Sequence, residues 1–156
     1  MIKDIFTRFL DKFREVGGEF YNSLPEFIDK LEDKRIACEE TLVGLIMEVL
    51  EKEIDFCKAE FAFVSITRPK ALVAETGSLL FVYDREEDFK LISLPYVHVN
   101  IFEGVPVFET LEEALAQNQG VYVSVVTGPS KTGDIELIHV FGVHGPGRLV
   151  GVGSLK

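Results

Sequence analysis

The chain has 156 residues and a mass of 17.5 kDa, which suits one globular domain that folds without disulfide or metal cross-links. Its formal net charge of -10 disfavours nucleic acid as a partner, because a phosphate backbone would be repelled. The two cysteines, Cys38 and Cys57, lack C-x-x-C spacing and lie far from every histidine, so we expect neither an iron-sulfur cluster nor a zinc site. No apolar run is long enough to span a membrane, and charges interrupt the N-terminus, so we expect a cytoplasmic protein without a membrane partner.

Helical periodicity dominates the first part of the chain. Apolar residues from Ile2 to Phe13 recur at helical spacing, and a glycine pair ends the pattern. Ser23 stands three residues before Glu26, which is the spacing of a capping box and predicts a second helix. A further apolar stripe predicts a third helix from about Thr41 to Phe56. Residues 1 to 58 are therefore predicted to form the helical part of a single domain.

Short runs of branched and aromatic residues characterise the second part of that domain, residues 59 to 156, and predict strands. The predicted strands are Phe61 to Ile66, Ala71 to Ala74, Ser78 to Tyr83, Tyr96 to Phe102 and Val121 to Val126. Thr110 begins a capping box, which predicts a helix through about Gln117. The strand from Val97, this helix and the strand from Val121 make a plausible crossover unit. Together these patterns predict an α/β sheet with helical cover.

The segment from Thr127 to Glu136 combines glycines, hydroxyls and a lysine directly after an apolar strand. Exposed backbone N-H groups, the hydroxyls of Ser130 and Thr132 and the charge of Lys131 suit an anion such as phosphate or carboxylate. The residue order differs from a P-loop, so nucleotide hydrolysis is not implied. The alternative is a tight turn in which Asp134 or Thr132 caps a short helix.

Two further glycine turns each carry a titratable residue. Glu75 suits a nucleophile, a base or a ligand-binding acceptor, or else a carboxylate that satisfies its own turn. His144 suits an acid-base group or an anion contact, or else a structural turn residue. His98 and His139 lie in apolar runs and are expected to be core or sheet residues. No metal-ligand spacing connects the three histidines, so we expect no metal site.

Three fragments in this order, Glu75 to Leu79, Gly128 to Glu136 and Gly142 to Pro146, resemble the LUD domain of the lactate-utilisation protein C (LutC) family. The segment from Leu94 to His98 is similar to the one before a central strand of that family, so the resemblance covers roughly Glu60 to Lys156. It implies a three-layer α/β/α sandwich with a mainly parallel sheet. That fold is shared with glucosamine-phosphate deaminase, ribose-phosphate isomerase and CoA transferases.

The resemblance also implies a function, an accessory subunit of an L-lactate-oxidising system that acts with iron-sulfur partner proteins. The expected ligand is a small anion, namely a carboxylate, a phosphate or a nucleotide-like molecule. It does not identify a cofactor for this chain, so the cofactor stays unknown. An alternative is an autonomous transferase, isomerase or ligase that uses Glu75, since the turn Ala74 to Gly77 resembles the Ser-Glu-Asn-Gly turn of class I CoA transferases with two departures. A further alternative is a degenerate fold that is retained for binding alone.

The residues that the resemblance carries over are expected to line one pocket at strand ends. They are Glu75 and His144, as candidate catalytic groups, and Gly77, Gly128, Ser130, Lys131, Thr132, Asp134 and Gly145, as candidate ligand contacts. A shared ligand site requires that Glu75, Asp134 and His144 converge in one cleft.

Overall fold

The structure, a computed structural model, describes residues 4–50, 54–129 and 146–156. The described α-helices are α1 (Ile5–Glu15), α2 (Leu24–Ile28), α3 (Val43–Leu50), α4 (Lys90–Ser93) and α5 (Leu111–Gln117). The described strands are β1 (Glu19–Ser23), β2 (Arg35–Cys38), β3 (Asp55–Phe56), β4 (Val64–Thr67), β5 (Ala71–Val73), β6 (Ser78–Tyr83), β7 (Val97–Ile101), β8 (Val107–Phe108), β9 (Tyr122–Val126) and β10 (Arg148–Ser154). No described helix is long and apolar enough to cross a bilayer.

The described strands form two sheets. The larger sheet has six parallel strands in the order β1-β10-β7-β4-β2-β3. Val97 of β7 pairs with Val64 of β4 on one side and with Arg148 of β10 on the other. Every residue of β4 and β7 is buried, as expected for central strands that are covered on both faces.

Helices cover one face of the larger sheet, which we call the helical face. There α2 and α3 bury Phe27, Ile46 and Leu50 against strand residues such as Val64 and Val99. Ser23 caps α2, since its hydroxyl accepts a hydrogen bond from the Glu26 N-H at 3.3 Å. Burial of these apolar side chains holds the helices on this face of the sheet.

The opposite face, which we call the two-sheet face, is covered by α1 and by the smaller sheet, ordered β8-β5-β6-β9. Phe9 and Phe13 of α1 pack with Phe102, whose ring centroid lies 5.3 Å from each of theirs. Phe81 of the smaller sheet and Leu149 of β10 complete the cluster. The smaller sheet therefore covers part of this face, a position that helices occupy in a simple parallel α/β sheet.

The α/β class with a mainly parallel sheet is confirmed, and so are three predicted helices. Helix α1 matches the predicted amphipathic helix, and the helix that Thr110 caps is α5, with the Thr110 hydroxyl accepting from the Glu113 N-H at 3.2 Å. These predictions succeeded because helix periodicity and capping are local properties of the chain.

The prediction that residues 1 to 58 are helical is wrong in part, because β1, β2 and β3 lie there. The helix predicted to reach Phe56 is also wrong at its end, since Asp55–Phe56 is a strand that pairs with Arg35 and Ile36. Strands as short as these are stabilised by their neighbours in the sheet rather than by their own sequence pattern. Their pairing was therefore invisible to a periodicity argument.

The predicted crossover unit is wrong too, because β7 and β9 belong to different sheets. Strand β9 is antiparallel to β6, with Leu79 opposite Val126, rather than parallel to β7. Strand β10 was not predicted at all, since its glycines are typical of turns. At Gly151 a Cβ atom would collide with the ring of Phe102, so this strand needs a glycine for packing.

Candidate functional site

The turn between β5 and β6 holds Glu75 and Gly77. Gly77 has φ +68°, which favours glycine, and its N-H donates to the Val73 carbonyl at 2.9 Å. A Cβ atom there would lie 2.6 Å from the carbonyl carbon of Lys12 and from the nitrogen of Phe13. The turn is therefore pressed against the backbone of α1, and glycine is required for both conformation and space.

Gly128 lies against the same end of α1. It has φ +71°, and a Cβ atom there would collide with the carbonyl oxygen of Val16, the residue that follows the helix. Gly77 and Gly128, from two separate motifs, thus approach the last turn of one helix. Both glycines are buried near this helix end, and their predicted role as ligand contacts stays a prediction.

A chain of hydroxyl groups joins the two motifs. Thr76 Oγ1 lies 2.6 Å from Ser78 Oγ, and Ser78 Oγ lies 2.6 Å from Thr127 Oγ1. The antiparallel register of β6 and β9 brings Ser78 and Thr127 side by side. Thr76 is partly exposed, Ser78 is buried and Thr127 is exposed, so the central hydroxyl of the series is the buried one.

The Glu75 carboxylate has a structural contact in this turn. It is exposed, and its Oε1 accepts a hydrogen bond from the Leu111 N-H at 3.2 Å. Glu75 therefore satisfies a backbone donor in the first turn of α5, beside the Thr110 cap. This contact agrees with the alternative that Glu75 is a satisfied turn carboxylate.

The other predicted site residues lie outside the described residues. They are Ser130, Lys131, Thr132, Asp134, His144 and Gly145. The convergence of Glu75, Asp134 and His144 therefore stays a prediction.

A second candidate site is a cleft of about 720 Å³ at the carboxyl ends of β2, β3 and β4. We call it the switch-point cleft and define it by Cys38, Glu39, Cys57, Arg68, Lys70 and Tyr83, which line it. Helix α3, which follows β2, packs on the helical face, whereas β5, β6 and α4, which follow β4, contribute to the two-sheet face. The chain therefore leaves β2 toward one face of the sheet and leaves the neighbouring strand β4 toward the other face. Open α/β sheets usually bind ligands in the cleft beside two such strands.

Glu39 is the best-fixed side chain of the cleft. Its Oε1 accepts hydrogen bonds from the backbone N-H of Arg68 at 3.2 Å and from the Tyr83 hydroxyl at 3.1 Å. Burial raises the pKa of Glu39, whereas these two donors and the charges of Lys70 and Arg68 oppose the increase. Burial, followed by the neighbouring Glu39, also raises the pKa of Tyr83, so its hydroxyl remains a donor at neutral pH.

The positive charges of the cleft differ in their pairing. Arg85 pairs with Asp88 at 3.2 Å, and Lys90 pairs with Glu60 at 3.8 Å. Arg68 and Lys70 make no ion pair with a described carboxylate, and the buried Nε of Arg68 has no acceptor among the described residues. A buried guanidinium N-H without an acceptor is costly, so this cleft has unused capacity for an anion.

The thiols of the cleft are not activated. Burial, with a smaller contribution from Glu39, raises the pKa of Cys38 to about 11, and burial is also the largest of the effects that raise the pKa of Cys57. Both cysteines are therefore protonated at neutral pH and are poor nucleophiles. Within the described ranges, no group of three or more His, Cys, Asp and Glu side chains is arranged to hold a metal ion.

A buried polar network lies behind the cleft wall. Thr67 Oγ1 donates to Asn100 Oδ1 at 2.9 Å and lies 2.7 Å from His98 Nε2, which must then be the donor of that pair. Burial lowers the pKa of His98 to about 3, so the imidazole is neutral. Its ring centroid lies 5.5 Å from that of Phe81, which lines the cleft. The prediction that His98 is a core sheet residue is confirmed.

Sequence reasoning missed Glu39, Arg68, Lys70 and Tyr83. Glu39 and Arg68 directly follow strands, Tyr83 ends one and Lys70 directly precedes one. A correct prediction of β2 would have placed Glu39 at a carboxyl end of the sheet. The long separations between them, 29 residues from Glu39 to Arg68 and 44 from Glu39 to Tyr83, left no local motif.

The fold and its two polar regions define an α/β protein with an open parallel sheet. Residues 15–152 match the LUD domain, and the chain belongs to the LUD domain family. A solved structure with a similar fold is the crystal structure of a DUF162 family protein from Deinococcus radiodurans. It superposes with a TM-score of 0.67 and 19% sequence identity, covering 97% of this chain and 96% of that one.

Several relatives are similar in sequence. The chain is 34% identical over 110 residues to an uncharacterized protein from Neisseria meningitidis serogroup B, covering 64% of this chain and 47% of that protein. It is 31% identical to lactate utilization protein C of D. radiodurans, covering 66% and 52%, and 34% identical to that of Bacillus subtilis, covering 57% and 41%. These matches confirm the resemblance to the LutC family. The chain spans about half the length of the curated relatives it matches.

Proposed function

We propose that this chain serves lactate utilisation as a LutC-like accessory subunit that binds a small anionic ligand at its glycine turns. The relatives named lactate utilization protein C support the role in lactate utilisation. The observation that carries the ligand site is the hydroxyl chain from Thr76 through Ser78 to Thr127, because it joins two separate motifs beside one helix end.

The chemistry of this region suits an anion more than a cation. Gly128 leads directly into Ser130, Lys131 and Thr132, whose hydroxyls and charge complement a phosphate or carboxylate. The net charge of -10 opposes anion binding only weakly, because salt at physiological ionic strength screens exposed charges that lie more than about 8 Å from the anion. Local donors therefore dominate over the field of the whole chain.

Thermal unfolding tests the ligand site. Inorganic phosphate, sulfate or L-lactate should raise the melting temperature in a saturable way, because a ligand that binds only the folded state stabilises it. The double variant Ser130→Ala/Thr132→Ala should lose the shift, and Lys131→Ala should weaken it and reduce its salt dependence. Ser124→Ala, which removes a hydroxyl from β9, is the matched control and should keep the shift. An unchanged shift in the double variant would contradict the site.

The partners are proposed from the family relation. An accessory subunit of a lactate-oxidising system needs redox partners, and we expect these to be iron-sulfur proteins. A deletion strain should grow poorly on L-lactate and normally on pyruvate, since only lactate requires the oxidation step. Normal growth on L-lactate would contradict the role. Neighbouring genes that encode cysteine-rich iron-sulfur proteins would support it.

The alternative of an autonomous enzyme that uses Glu75 gains no support from the geometry. The Glu75 carboxylate is exposed and accepts from the Leu111 N-H, which is a role in helix capping. A nucleophilic carboxylate would instead need to form a covalent intermediate with a substrate. Mass spectrometry of the protein after incubation with acetyl-CoA should therefore show no acylated Glu75, and a Glu75-linked adduct would favour the enzyme.

A further inference from the structure

The switch-point cleft is separated from the glycine turns by the length of β6. Ser78 begins that strand beside Thr127, and Tyr83 ends it in the cleft, which corresponds to roughly 17 Å along an extended strand. The cleft is thus a second place on this chain, and its ligand is a separate question from the proposed anion at the glycine turns.

The cleft is larger than a single small ion requires. Its volume of about 720 Å³ is within the range of pockets that hold organic ligands. Its wall combines the half-buried ring of Tyr83 with charged groups, whereas the ring of Phe81 is buried in the core behind it. An organic molecule with both a charged and an apolar part would complement this lining.

The cleft is lined by carboxylates as well as by basic side chains, so an anionic group would have to contact the basic ones. Arg68 and Lys70 are two residues apart, both line the cleft, and neither pairs with a described carboxylate. The buried Arg68 Nε lacks an acceptor among the described residues. An arginine with a neighbouring lysine is well suited to bind a phosphate group.

Glu39 selects hydrogen-bond donors on the same ligand. Its Oε1 accepts hydrogen bonds from the backbone N-H of Arg68 and from the Tyr83 hydroxyl, and these bonds fix the carboxylate at the carboxyl end of β2. A carboxylate at such a strand end in an open α/β sheet can accept hydrogen bonds from ribose hydroxyls. Basic side chains nearby can bind the phosphate of the same ligand. Glu39 could thus bind the ribose of a ligand, and Arg68 and Lys70 could bind its phosphate.

We propose that the switch-point cleft binds a ribonucleotide, with Arg68 and Lys70 binding its phosphates and Glu39 accepting hydrogen bonds from its ribose. The proposal assigns this chain a second ligand in addition to the small anion at the glycine turns. It requires no covalent step.

Isothermal titration calorimetry with three probes tests the assignment. ADP contains phosphate and ribose, adenosine lacks the phosphate, and pyrophosphate lacks the nucleoside. ADP should bind more tightly than either of the others, by about tenfold or more, because each lacks one set of charge-assisted contacts. Pyrophosphate binding as tightly as ADP would reduce the cleft to an anion site and overturn the proposal. Absent ADP binding would overturn it as well.

Variants place the ADP on the proposed residues. Arg68→Gln should weaken ADP binding by about tenfold or more. Lys70→Gln should weaken it less, and because Lys70 is exposed this variant tests the site even if Arg68→Gln does not fold. Lys34→Gln removes the same charge just before β2, at the opposite end from Glu39, and should leave ADP binding within about twofold. An equal loss in Lys34→Gln would show an unspecific charge effect and overturn the proposal.

A final comparison separates the two sites. Ser130→Ala/Thr132→Ala should keep ADP binding unchanged while it loses the thermal shift with L-lactate, and Arg68→Gln should show the reverse pattern. Loss of ADP binding in the hydroxyl variant would place ADP at the glycine turns and overturn the assignment to the cleft, whereas loss of only the L-lactate shift would leave it intact.

Discussion

Strand β6 connects two regions whose polar groups are used differently. At its beginning, Ser78 bonds to two other hydroxyls, and Glu75 before it bonds to a backbone N-H. At its end, the Tyr83 hydroxyl donates to Glu39, whereas the side chains of Arg68 and Lys70, whose charges act on Glu39, form no ion pair with a described carboxylate. The turn motifs therefore serve first to shape the backbone. The basic side chains without an ion pair, Arg68 and Lys70, lie instead in the switch-point cleft, where strands that are distant in sequence meet.

The largest expected effect breaks the glycine-turn region. Gly77→Ala should destabilise the protein by about 3 kcal/mol or more, because its positive φ and the contact with the α1 backbone both oppose a Cβ atom. Gly104→Ala is the matched control, since Gly104 has φ +76° but open space around a Cβ, and should cost about 1 kcal/mol. Urea unfolding measures both. Equal losses would mean that the turn is not pressed against α1.

The next effect concerns the network behind the cleft wall. His98 has a pKa lowered to about 3 by burial, against 6.5 for the free side chain, so protons bind the unfolded chain more readily. Its contribution to stability is complete above pH 6.5 and is lost as the pH falls toward 3. His98 alone should lower the free energy of unfolding by about 2 kcal/mol between pH 7 and pH 5.

Urea unfolding at the two pH values measures this loss. The variant His98→Gln, which cannot take up that proton, should show a weaker dependence on pH over the same interval. An identical dependence in both proteins would mean that His98 is not buried in its neutral form.

A smaller effect tests the link between the two motifs. Ser78→Ala removes the central hydroxyl between Thr76 and Thr127 and should cost about 1 kcal/mol, a typical net value for a hydrogen bond. Thr7→Ala would be a poor control because Thr7 bonds to the α1 cap, so Ser124→Ala is the better comparison. No difference between Ser78→Ala and Ser124→Ala in urea unfolding would argue against a buried link.

The smallest effect concerns Glu75. Glu75→Gln keeps an oxygen that can accept from the Leu111 N-H and removes only the charge at the start of α5, so the loss of stability should be smaller than for Ser78→Ala. Thermal unfolding at low and high salt measures it, and salt should reduce the difference. A gain in stability on removing the charge would point to a strained, functional carboxylate.

The parts of this structure that the sequence predicts correctly are those with local causes. Ser23 and Thr110 act as helix caps as predicted, because a cap needs only the residues that follow it. Strands β2 and β10 could not be predicted, since the first has a single β-branched residue, Ile36, and the second is interrupted by glycines. Their positions depend on pairing with β4 and β7.

The candidate sites divide in the same way. The turns of Gly77 and Gly128 were found from short motifs, and the structure explains both by their closeness to α1. The switch-point cleft left no motif, because Glu39, Arg68 and Tyr83 come from three strands that only the sheet topology brings together. A cleft of this kind becomes visible once strand order is known.

An amide-resolved NMR titration with inorganic phosphate, performed in the Arg68→Gln variant, tests the central claim that the two glycine motifs form one anion site. The account predicts saturable shifts at the amides of Gly77 and Gly128 together, with one common dissociation constant, because both would report the same bound ion. Shifts that are absent from these two glycines, or that follow different binding curves at each, would contradict it.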